Sequence, residues 1–169
     1  MTEAVAAVPG GNLSIRPAAA ARLLALLLPL ALLAGAFGSE YLGHLIPCEM
    51  CWWQRYAHLA ALPLAALAFT GTAESQRSRA LTLLAALAIA VSGAIGVYHA
   101  GVELKIFEGF TQCTANGHAT LESIIKTPLI RCDQVQWSFL GISMAGWNAT
   151  LSLGGAALIV LISFKASKR

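Results

Sequence analysis

Long apolar runs alternate with short polar segments along the whole chain. Each run is close to the roughly 20 residues that a helix needs to cross the hydrocarbon core of a bilayer. Charged residues make up only 11% of the chain and apolar residues 57%, whereas soluble domains carry roughly 25% charged residues. The pattern therefore predicts an all-α integral membrane protein, a four-helix bundle with spans near residues 18–37, 56–73, 80–102 and 143–164.

Residues 1–17 differ from the rest because they are rich in Ala, Pro and Gly and show no apolar period. Chain ends of this kind are usually poorly ordered, so we predict a disordered cytoplasmic tail. The longest segment outside the apolar runs, 103–142, is shorter than the roughly 50 residues of a small domain. We therefore predict a single four-helix transmembrane domain over residues 18–169.

Lysine and arginine are concentrated on one side of the predicted membrane. Short cytoplasmic loops collect these residues, so their distribution predicts the orientation. Both termini are then cytoplasmic, and six of the eight acidic residues lie on the opposite side. The seven basic residues on the cytoplasmic side, of eleven in the chain, are Arg16, Arg22, Arg77, Arg79, Lys165, Lys168 and Arg169.

All four cysteines fall on the side opposite the cytoplasm. Cys48 and Cys51 lie in the first outer loop, and Cys113 and Cys132 lie in the second, eighteen residues apart. An even number of cysteines confined to an oxidising side is what a set of exchanging disulfides requires. The second pair could lie on a mobile loop that delivers a disulfide, or on a static loop that one disulfide staples.

Two apolar sets at helical spacing lie in this second outer loop. Helices of this kind can rest on a membrane surface with their apolar face buried in it. The sets are Ile106, Phe107 and Phe110 before Cys113, and Leu121, Ile124 and Ile125 between the two cysteines. We predict a short surface helix for each set.

The Cys48-x-x-Cys51 pair is the strongest chemical signal in the chain. Thiols spaced in this way often have pKa values below that of free cysteine. If a helix begins near Cys48, then Cys48, Cys51 and Arg55 lie on one face of it. The guanidinium and the helix N-terminus would both favour the Cys51 thiolate, although Arg55 could instead extend its charge to the lipid headgroups.

Several other polar or aromatic residues border the apolar runs. His99 ends the third run and could be a proton carrier, a hydrogen-bond donor or a polar cap. His58 follows Arg55 by one turn, and we interpret it as a packed or hydrogen-bonded polar residue rather than a ligand. Trp52 and Trp53 are typical of interfacial anchors.

These features together resemble the DsbB family of bacterial inner-membrane thiol:quinone oxidoreductases. The resemblance runs from the first apolar run to the last. It is carried by Pro47-Cys48-x-x-Cys51, by Arg55, by Cys113 and Cys132, and by Gln136-Trp137-x-Phe139-Leu140-Gly141-x-x-Met144-x-x-Trp147. It implies a bundle that reoxidises a periplasmic DsbA-like thioredoxin-fold protein and passes two electrons to a membrane quinone, either ubiquinone or menaquinone.

The resemblance also implies a role for each site residue. Cys113 is the cysteine attacked by the partner, Cys132 exchanges with Cys48, and Cys51 meets the quinone. Arg55 matches the quinone-side arginine of the family. By the same resemblance the cofactor-binding residues are Cys51, Arg55, His99 and Met144, and the catalytic residues are Cys48, Cys51, Cys113, Cys132 and Arg55.

Three alternatives stand beside this interpretation. A structural zinc site could use the cysteines, with or without His99 or His118. A helical scaffold could use its disulfides only as staples, in which case the cysteines never exchange. A protein like vitamin K epoxide reductase would place its Cys-x-x-Cys after the loop cysteines, whereas here it comes first.

We expect no resident metal or flavin, because the chain has no phosphate-cradling Gly-rich loop.

Overall fold

The computed structural model describes residues 16–109 and 131–167. The predictions for residues 1–15, for Cys113 and His118, and for the surface helix around Leu121 lie outside the described residues. The elements found in the described part are the helices α1 (Pro17–Tyr41), α2 (Glu49–Leu67), α3 (Gln76–Glu103) and α4 (Met144–Ser167), a 3₁₀ turn (Ala68–Thr70), and the strands β1 (Ser138–Phe139) and β2 (Ile142–Ser143).

The four helices correspond to the four predicted spans, and three of them are long and apolar enough to cross a membrane: α1, α3 and α4. The fourth helix, α2, is not among these three. It begins at Glu49 rather than at Tyr56, where the predicted span starts, and it ends at Leu67. Its first half carries Gln54, Arg55 and His58, and all three are buried inside the bundle. The polar side chains that lower the hydropathy of α2 therefore face its neighbours.

The bundle core consists mainly of alanine. α3 packs against α2 and α4, and α1 packs against the same two helices. Small side chains let membrane helices approach closely, which replaces the hydrophobic driving force that lipid does not supply. The buried core residues are Ala25, Ala61, Ala65, Ala85, Ala86, Ile89, Ala156 and Ile159.

α3 and α4 lie close together at Gly96. A Cβ atom at this position would lie 3.0 Å from the carbonyl oxygen of Ala145 and 3.0 Å from the backbone nitrogen of Ala149. Only glycine permits this separation without a shift of one helix. The close approach brings Asn148 of α4 within hydrogen-bonding distance of Ser92 on α3.

A short antiparallel hairpin precedes α4, and the sequence pattern did not predict it. Ser138 pairs with Ser143, and Phe139 pairs with Ile142. Leu140 and Gly141 form the turn with φ values of 52° and 77°, as a two-residue hairpin loop requires. The hairpin fixes the start of α4 and therefore the position of Met144.

The prediction of a surface helix after α3 is wrong for its described part. α3 ends at Glu103, and the chain then turns through Lys105, whose φ is 62°. Phe107 folds back so that its ring stacks on Tyr98, with 5.4 Å between ring centroids. The apolar residues at this position pack against the bundle, because the turn reverses the chain before another helical turn can form.

Candidate functional site

The two cysteines of the Cys-x-x-Cys motif lie at the first turn of α2, as the sequence predicted. Cys48 is the N-cap, and its sulfur accepts a hydrogen bond from the backbone nitrogen of Cys51 at 3.4 Å. The Cys48 thiol also donates to the Cys51 sulfur at 3.2 Å. Only a small movement separates this geometry from the roughly 2.05 Å of a disulfide bond.

Cys132 is the third sulfur of this site, and it packs in one cluster with Cys48. Cys48 is 2% exposed and packs with Met50, Val102 and Cys132 in a second buried cluster. Its side chain is hydrogen-bonded to that of Cys132 as well as to that of Cys51, and these contacts, followed by burial, raise its pKa above the ordinary value. Cys48 is therefore in a position to exchange with either sulfur.

Cys51 lies ahead of the predicted span at 56–73, and its pKa is lowered. The largest cause is the hydrogen bond from Cys48, while burial opposes the shift and the charge of Arg55 makes a smaller contribution. The sequence predicted that the Cys51 thiolate is favoured, and the lowered pKa agrees with that direction. The main cause of the lowered pKa is the neighbouring Cys48 thiol rather than the guanidinium, because the charge of Arg55 has a closer partner.

That partner is Glu40 of α1, which forms an ion pair with Arg55. Arg55 is only 5% exposed, and it also donates to the carbonyl oxygen of Ala36 at 2.9 Å. Its guanidinium carbon lies 4.8 Å from the ring centroid of Phe37 and 4.9 Å from that of Trp52, within cation–π range. Arg55 is thus held inside the bundle and does not extend to the lipid headgroups.

Three charged residues hold the segment that carries Cys132. Lys105 Nζ donates to Asp133 Oδ2 at 2.6 Å and to the Asp133 carbonyl oxygen at 2.9 Å. Arg131 donates to both carboxylate oxygens, at 2.9 and 2.8 Å. These two cations, Arg131 first, hold the pKa of Asp133 well below its usual range. Asp133 therefore links the Cys132 segment to the end of α3.

We expect Asp133→Asn to slow exchange between Cys132 and Cys48. The amide keeps the shape of the side chain but removes the charge that both cations share, so the segment loses its attachment to Lys105. The exchange should be roughly three- to tenfold slower, a modest effect because exposed ion pairs contribute little. Stopped-flow thiol trapping measures the rate, and Glu108→Gln is a control in the same loop. An unchanged rate in Asp133→Asn would show that the ion pairs do not position Cys132.

A cavity of about 690 Å³ opens between α1, α2 and the start of α4. Its walls are mostly apolar, as in small-molecule sites, and its volume is within their usual range. Three of the four predicted cofactor-binding residues line it: Cys51, Arg55 and Met144. Ser39 Oγ lies 3.8 Å from the Met144 sulfur. Sequence reasoning did not anticipate Gln54 and Asn148, which also line this wall. His58 lines it too, and its 2.9 Å hydrogen bond with Asn148 agrees with its interpretation as a packed or hydrogen-bonded polar residue.

The fourth predicted residue, His99, is not among the described residues that line this cavity. It lines a smaller one of about 50 Å³ together with Cys48 and with the other three predicted cofactor-binding residues, Cys51, Arg55 and Met144. His99 Nε2 lies 3.6 Å from the Cys48 sulfur and 3.9 Å from Glu103 Oε1. The structure therefore brings His99 to Cys48, and a direct contact with a cofactor stays a prediction.

Gln54 connects His99 to α4 through a chain of buried hydrogen bonds. Asn148 Nδ2 donates to Gln54 Oε1 at 2.8 Å. Gln54 Nε2 lies 2.9 Å from His99 Nδ1 and also donates to the Met50 carbonyl oxygen. With the amide oriented by Asn148, Nδ1 must be the acceptor, so His99 carries its proton on Nε2. The network thus aims an N–H at the Cys48 sulfur.

The sequence contained a signal for Gln54 and Asn148. A side-chain amide inside an apolar run of a membrane protein needs an internal partner, because lipid offers none. Gln54 and Asn148 both satisfy that description. Their pairing with each other could not be read from the chain, since they lie on different helices.

We expect Gln54→Leu to affect both stability and exchange. The substitution removes the donor to His99 Nδ1 and the Oε1 acceptor of Asn148, and an unsatisfied buried polar group costs about 1–3 kcal/mol. His99 then loses its fixed tautomer, and closure of the Cys48–Cys51 disulfide slows roughly tenfold. Thermal unfolding in detergent and rapid alkylation measure the two effects.

Ser92→Ala is the matched control for Gln54→Leu. Ser92 Oγ donates to the Gln54 carbonyl oxygen at 3.0 Å and accepts from Asn148 at 3.1 Å, but no hydrogen bond joins it to His99 among the described residues. It should lower stability alone. If both variants slow closure equally, the network acts only through folding.

The zinc alternative has three candidate ligands in this site. The sulfurs of Cys48 and Cys51 and a ring nitrogen of His99 lie within 4.8 Å of one another. Zinc requires a deprotonated ring nitrogen, whereas the Gln54 contact leaves the proton on the Nε2 that faces Cys48. The donor set therefore suits a hydrogen bond to sulfur better than a metal ion.

Comparison with known proteins gives one consistent result. Residues 18–162 match the family model described as "Disulfide bond formation protein DsbB". The chain is 30% identical over 146 residues to disulfide bond formation protein B of Marinobacter nauticus, covering 82% of this chain and 85% of that protein.

Two further relatives support the same match. The chain is 30% identical over 160 residues to disulfide bond formation protein B 2 of Pseudomonas entomophila, covering 86% of this chain and 91% of that one. It is 31% identical over 148 residues to the corresponding protein of Aromatoleum aromaticum, covering 80% and 89%. No solved structure matches the chain significantly.

Proposed function

Because this chain belongs to the DsbB family of disulfide bond formation proteins, we propose that it is the thiol:quinone oxidoreductase of its membrane. It is a membrane protein of disulfide bond formation. In the proposed reaction it reoxidises a periplasmic DsbA-like thioredoxin-fold protein and passes two electrons, through two cysteine pairs, to a membrane quinone.

The observation that carries this proposal is that Cys48 packs in one cluster with two other sulfurs, those of Cys132 and Cys51. Its side chain is hydrogen-bonded to both Cys132 and Cys51, and Cys51 lines the large cavity. A sulfur that can exchange in both directions is what links a partner-facing pair to a membrane-facing pair. A stapled scaffold has no need for that arrangement.

In the proposed sequence the partner's thiolate attacks Cys113 of a Cys113–Cys132 disulfide, so that a partner–Cys113 bond forms and Cys132 is released as a thiolate. Cys132 then attacks Cys48 of the Cys48–Cys51 disulfide, so a Cys132–Cys48 bond forms and the Cys48–Cys51 bond breaks. Cys51 leaves as a thiolate; Cys48 has no thiol proton to donate at this point, so the cation of Arg55 and the N-terminus of α2 stabilise the departing sulfur. The partner's second thiolate then displaces Cys113 and leaves oxidised. The freed Cys113 thiolate attacks Cys132, which re-forms the Cys113–Cys132 bond and releases Cys48 as a thiolate beside the N–H of His99.

The cavity fits a quinone head group. Trp137 and Trp147 line it together with apolar residues of α1, and Cys51 and Arg55 supply the polar part of the wall. When bound, the quinone supplies a two-electron oxidant that becomes quinol by taking up two electrons and two protons. Arg55 binds and orients a ligand oxygen, and Cys51 holds the reacting sulfur at the wall.

We also propose the membrane arrangement predicted above, with the cysteines on the periplasmic side of a bacterial inner membrane and both termini cytoplasmic. The basic end of the bundle is opposite the cysteines. There Arg22 donates to the carbonyl oxygen of Gly71 at 3.0 Å, and Arg16 pairs with Glu74 at 2.9 Å. Residues 18–169 then form one domain, preceded by the cytoplasmic tail.

Quinone reduction by the purified full-length protein tests this function. The protein is supplied in detergent with a reduced DsbA-like partner and either a ubiquinone or a menaquinone analogue, and quinone absorbance is followed. We expect turnover by the intact chain and none by Cys113→Ala, although that variant keeps Cys48 and Cys51.

The alternative function is a four-helix membrane protein with structural disulfides or a structural zinc site and no redox turnover. It predicts no quinone reduction by the intact chain with either quinone. Zinc content then separates its two forms, since a structural site holds about one ion per chain.

A further inference from the structure

His58 is a buried titratable residue that the proposed reaction does not use. It lines the large cavity, and it is 3% exposed. Its Nδ1 atom has no hydrogen-bond partner among the described residues. A buried polar atom without a partner is unfavourable, so a ligand that pairs with it gains affinity.

Asn148 determines which ring nitrogen of His58 carries the proton. Its Nδ2 faces acceptors, namely Gln54 Oε1 at 2.8 Å and the Ser92 carbonyl oxygen at 3.2 Å. Its Oδ1 therefore faces His58 Nε2, at 2.9 Å, and also accepts from Ser152 Oγ at 3.0 Å. His58 Nε2 must be the donor, and Nδ1 is left with a lone pair.

His58 Nδ1 is closed to solvent, so a head group reaches it only by displacing the side chains that cover it. An acceptor that is reached in this way distinguishes the two redox forms of a quinone. The oxygens of the oxidised head group are carbonyls, which only accept hydrogen bonds. The oxygens of the reduced head group are hydroxyls, which donate. We propose, on the basis of the proposed function, that His58 Nδ1 accepts a hydrogen bond from a quinol hydroxyl, so that the cavity binds quinol more tightly than quinone.

A preference for quinol favours electron flow from the cysteines to the quinone. A site that binds the reduced ligand more tightly makes the bound quinone a stronger oxidant, because binding and reduction are linked. No bond forms or breaks at His58. The dithiol of Cys48 and Cys51 still loses two electrons and two protons, and the quinone still gains both.

The positions on α2 suit such a ligand. Cys51, Arg55 and His58 are separated by four and then three residues, which places them on one face of the helix. Arg55 offers donors near Cys51, and His58 offers an acceptor one turn further along. A head group with two oxygens on opposite sides of its ring can meet both.

Binding is measured on the full-length protein with Cys51→Ser, which blocks electron transfer to the ligand. A short-chain ubiquinone analogue and its quinol are titrated under argon, and quenching of tryptophan fluorescence reports binding, since Trp137 and Trp147 line the cavity. We expect tighter binding of the quinol. Adding His58→Phe, which keeps an aromatic ring, should weaken quinol binding about tenfold and leave quinone binding unchanged.

Ser152→Ala is the matched control. It removes the other donor to Asn148 Oδ1 and the 3.3 Å contact between Ser152 Oγ and His58 Nε2, but it leaves His58 Nδ1 in place. Ser152 is not among the described residues that line the cavity. It should retain the quinol preference. The inference is overturned if the parent binds both forms equally, if His58→Phe weakens both equally, or if Ser152→Ala abolishes the preference as well. Binding of neither form by the parent overturns the proposed function too.

Discussion

Cys51→Ala is expected to abolish quinone reduction, with turnover reduced at least about a thousandfold, as when a nucleophile is removed from other enzymes. Cys51 is the only cysteine that lines the large cavity among the described residues. Without it, electrons that reach Cys48 have no sulfur from which to leave the chain. Quinone absorbance with a reduced DsbA-like partner measures the loss.

The same variant should trap an intermediate. Cys48 still packs against Cys132, so the Cys48 thiolate can attack Cys132 of a Cys113–Cys132 disulfide. A Cys48–Cys132 bond then forms, Cys113 leaves as a thiolate, and no Cys51 thiol is present to reopen the new bond. Mass spectrometry after alkylation should find that disulfide in Cys51→Ala. Cys48→Ala is the control, since it also lacks turnover but cannot form the bond. Substantial quinone reduction by Cys51→Ala would place electron exit at another residue.

Arg55→Met is expected to have the second-largest effect, because two roles are lost together. The cavity loses its cation, which should lower turnover roughly a hundredfold, as when one charge-stabilising donor is removed from an active site. Glu40, whose side chain is 20% exposed, also loses its ion-pair partner. Removing one partner of a buried pair costs about 3–5 kcal/mol, an upper bound for a carboxylate that is partly exposed.

A double substitution separates the two roles. In Arg55→Met with Glu40→Gln, no carboxylate is left without its cation, so the midpoint of thermal unfolding should recover while turnover stays low. Arg55→Lys should keep part of the activity, because an ammonium supplies the charge but cannot bridge Glu40 and the Ala36 carbonyl as a guanidinium does. If the double variant regains turnover, Arg55 acts through folding alone.

Sequence patterns were sufficient for the helices and for the local geometry of the cysteine pair. Apolar runs of near-spanning length correspond to α1, α3 and α4, because every backbone polar group in lipid must be satisfied within a helix. The sequence allowed a helix that begins near Cys48, and Cys48 is the N-cap of α2. Spacing along one helix therefore placed Cys51 near Arg55.

Prediction of helices from residue spacing failed where the chain reverses, and prediction from hydropathy failed where polar residues interrupt an apolar run. Ile106 and Phe107 have helical spacing, yet the turn after Glu103 sends Phe107 back onto Tyr98. The first half of α2 is too polar for a hydropathy criterion, because its polar groups are satisfied by other helices. Both outcomes depend on contacts between residues far apart in the chain.

The family, the helical membrane fold and the position of the Cys-x-x-Cys pair at the start of a helix were determined by the sequence itself, because each rests on local spacing and composition. Tertiary structure alone decided that Cys48, Cys51 and Cys132 pack together, that Glu40 is the partner of Arg55, and that Gln54 and Asn148 connect His99 and His58. These contacts join different helices and loops. Their geometry follows from how closely the small residues of the core let the helices pack, which no single segment specifies.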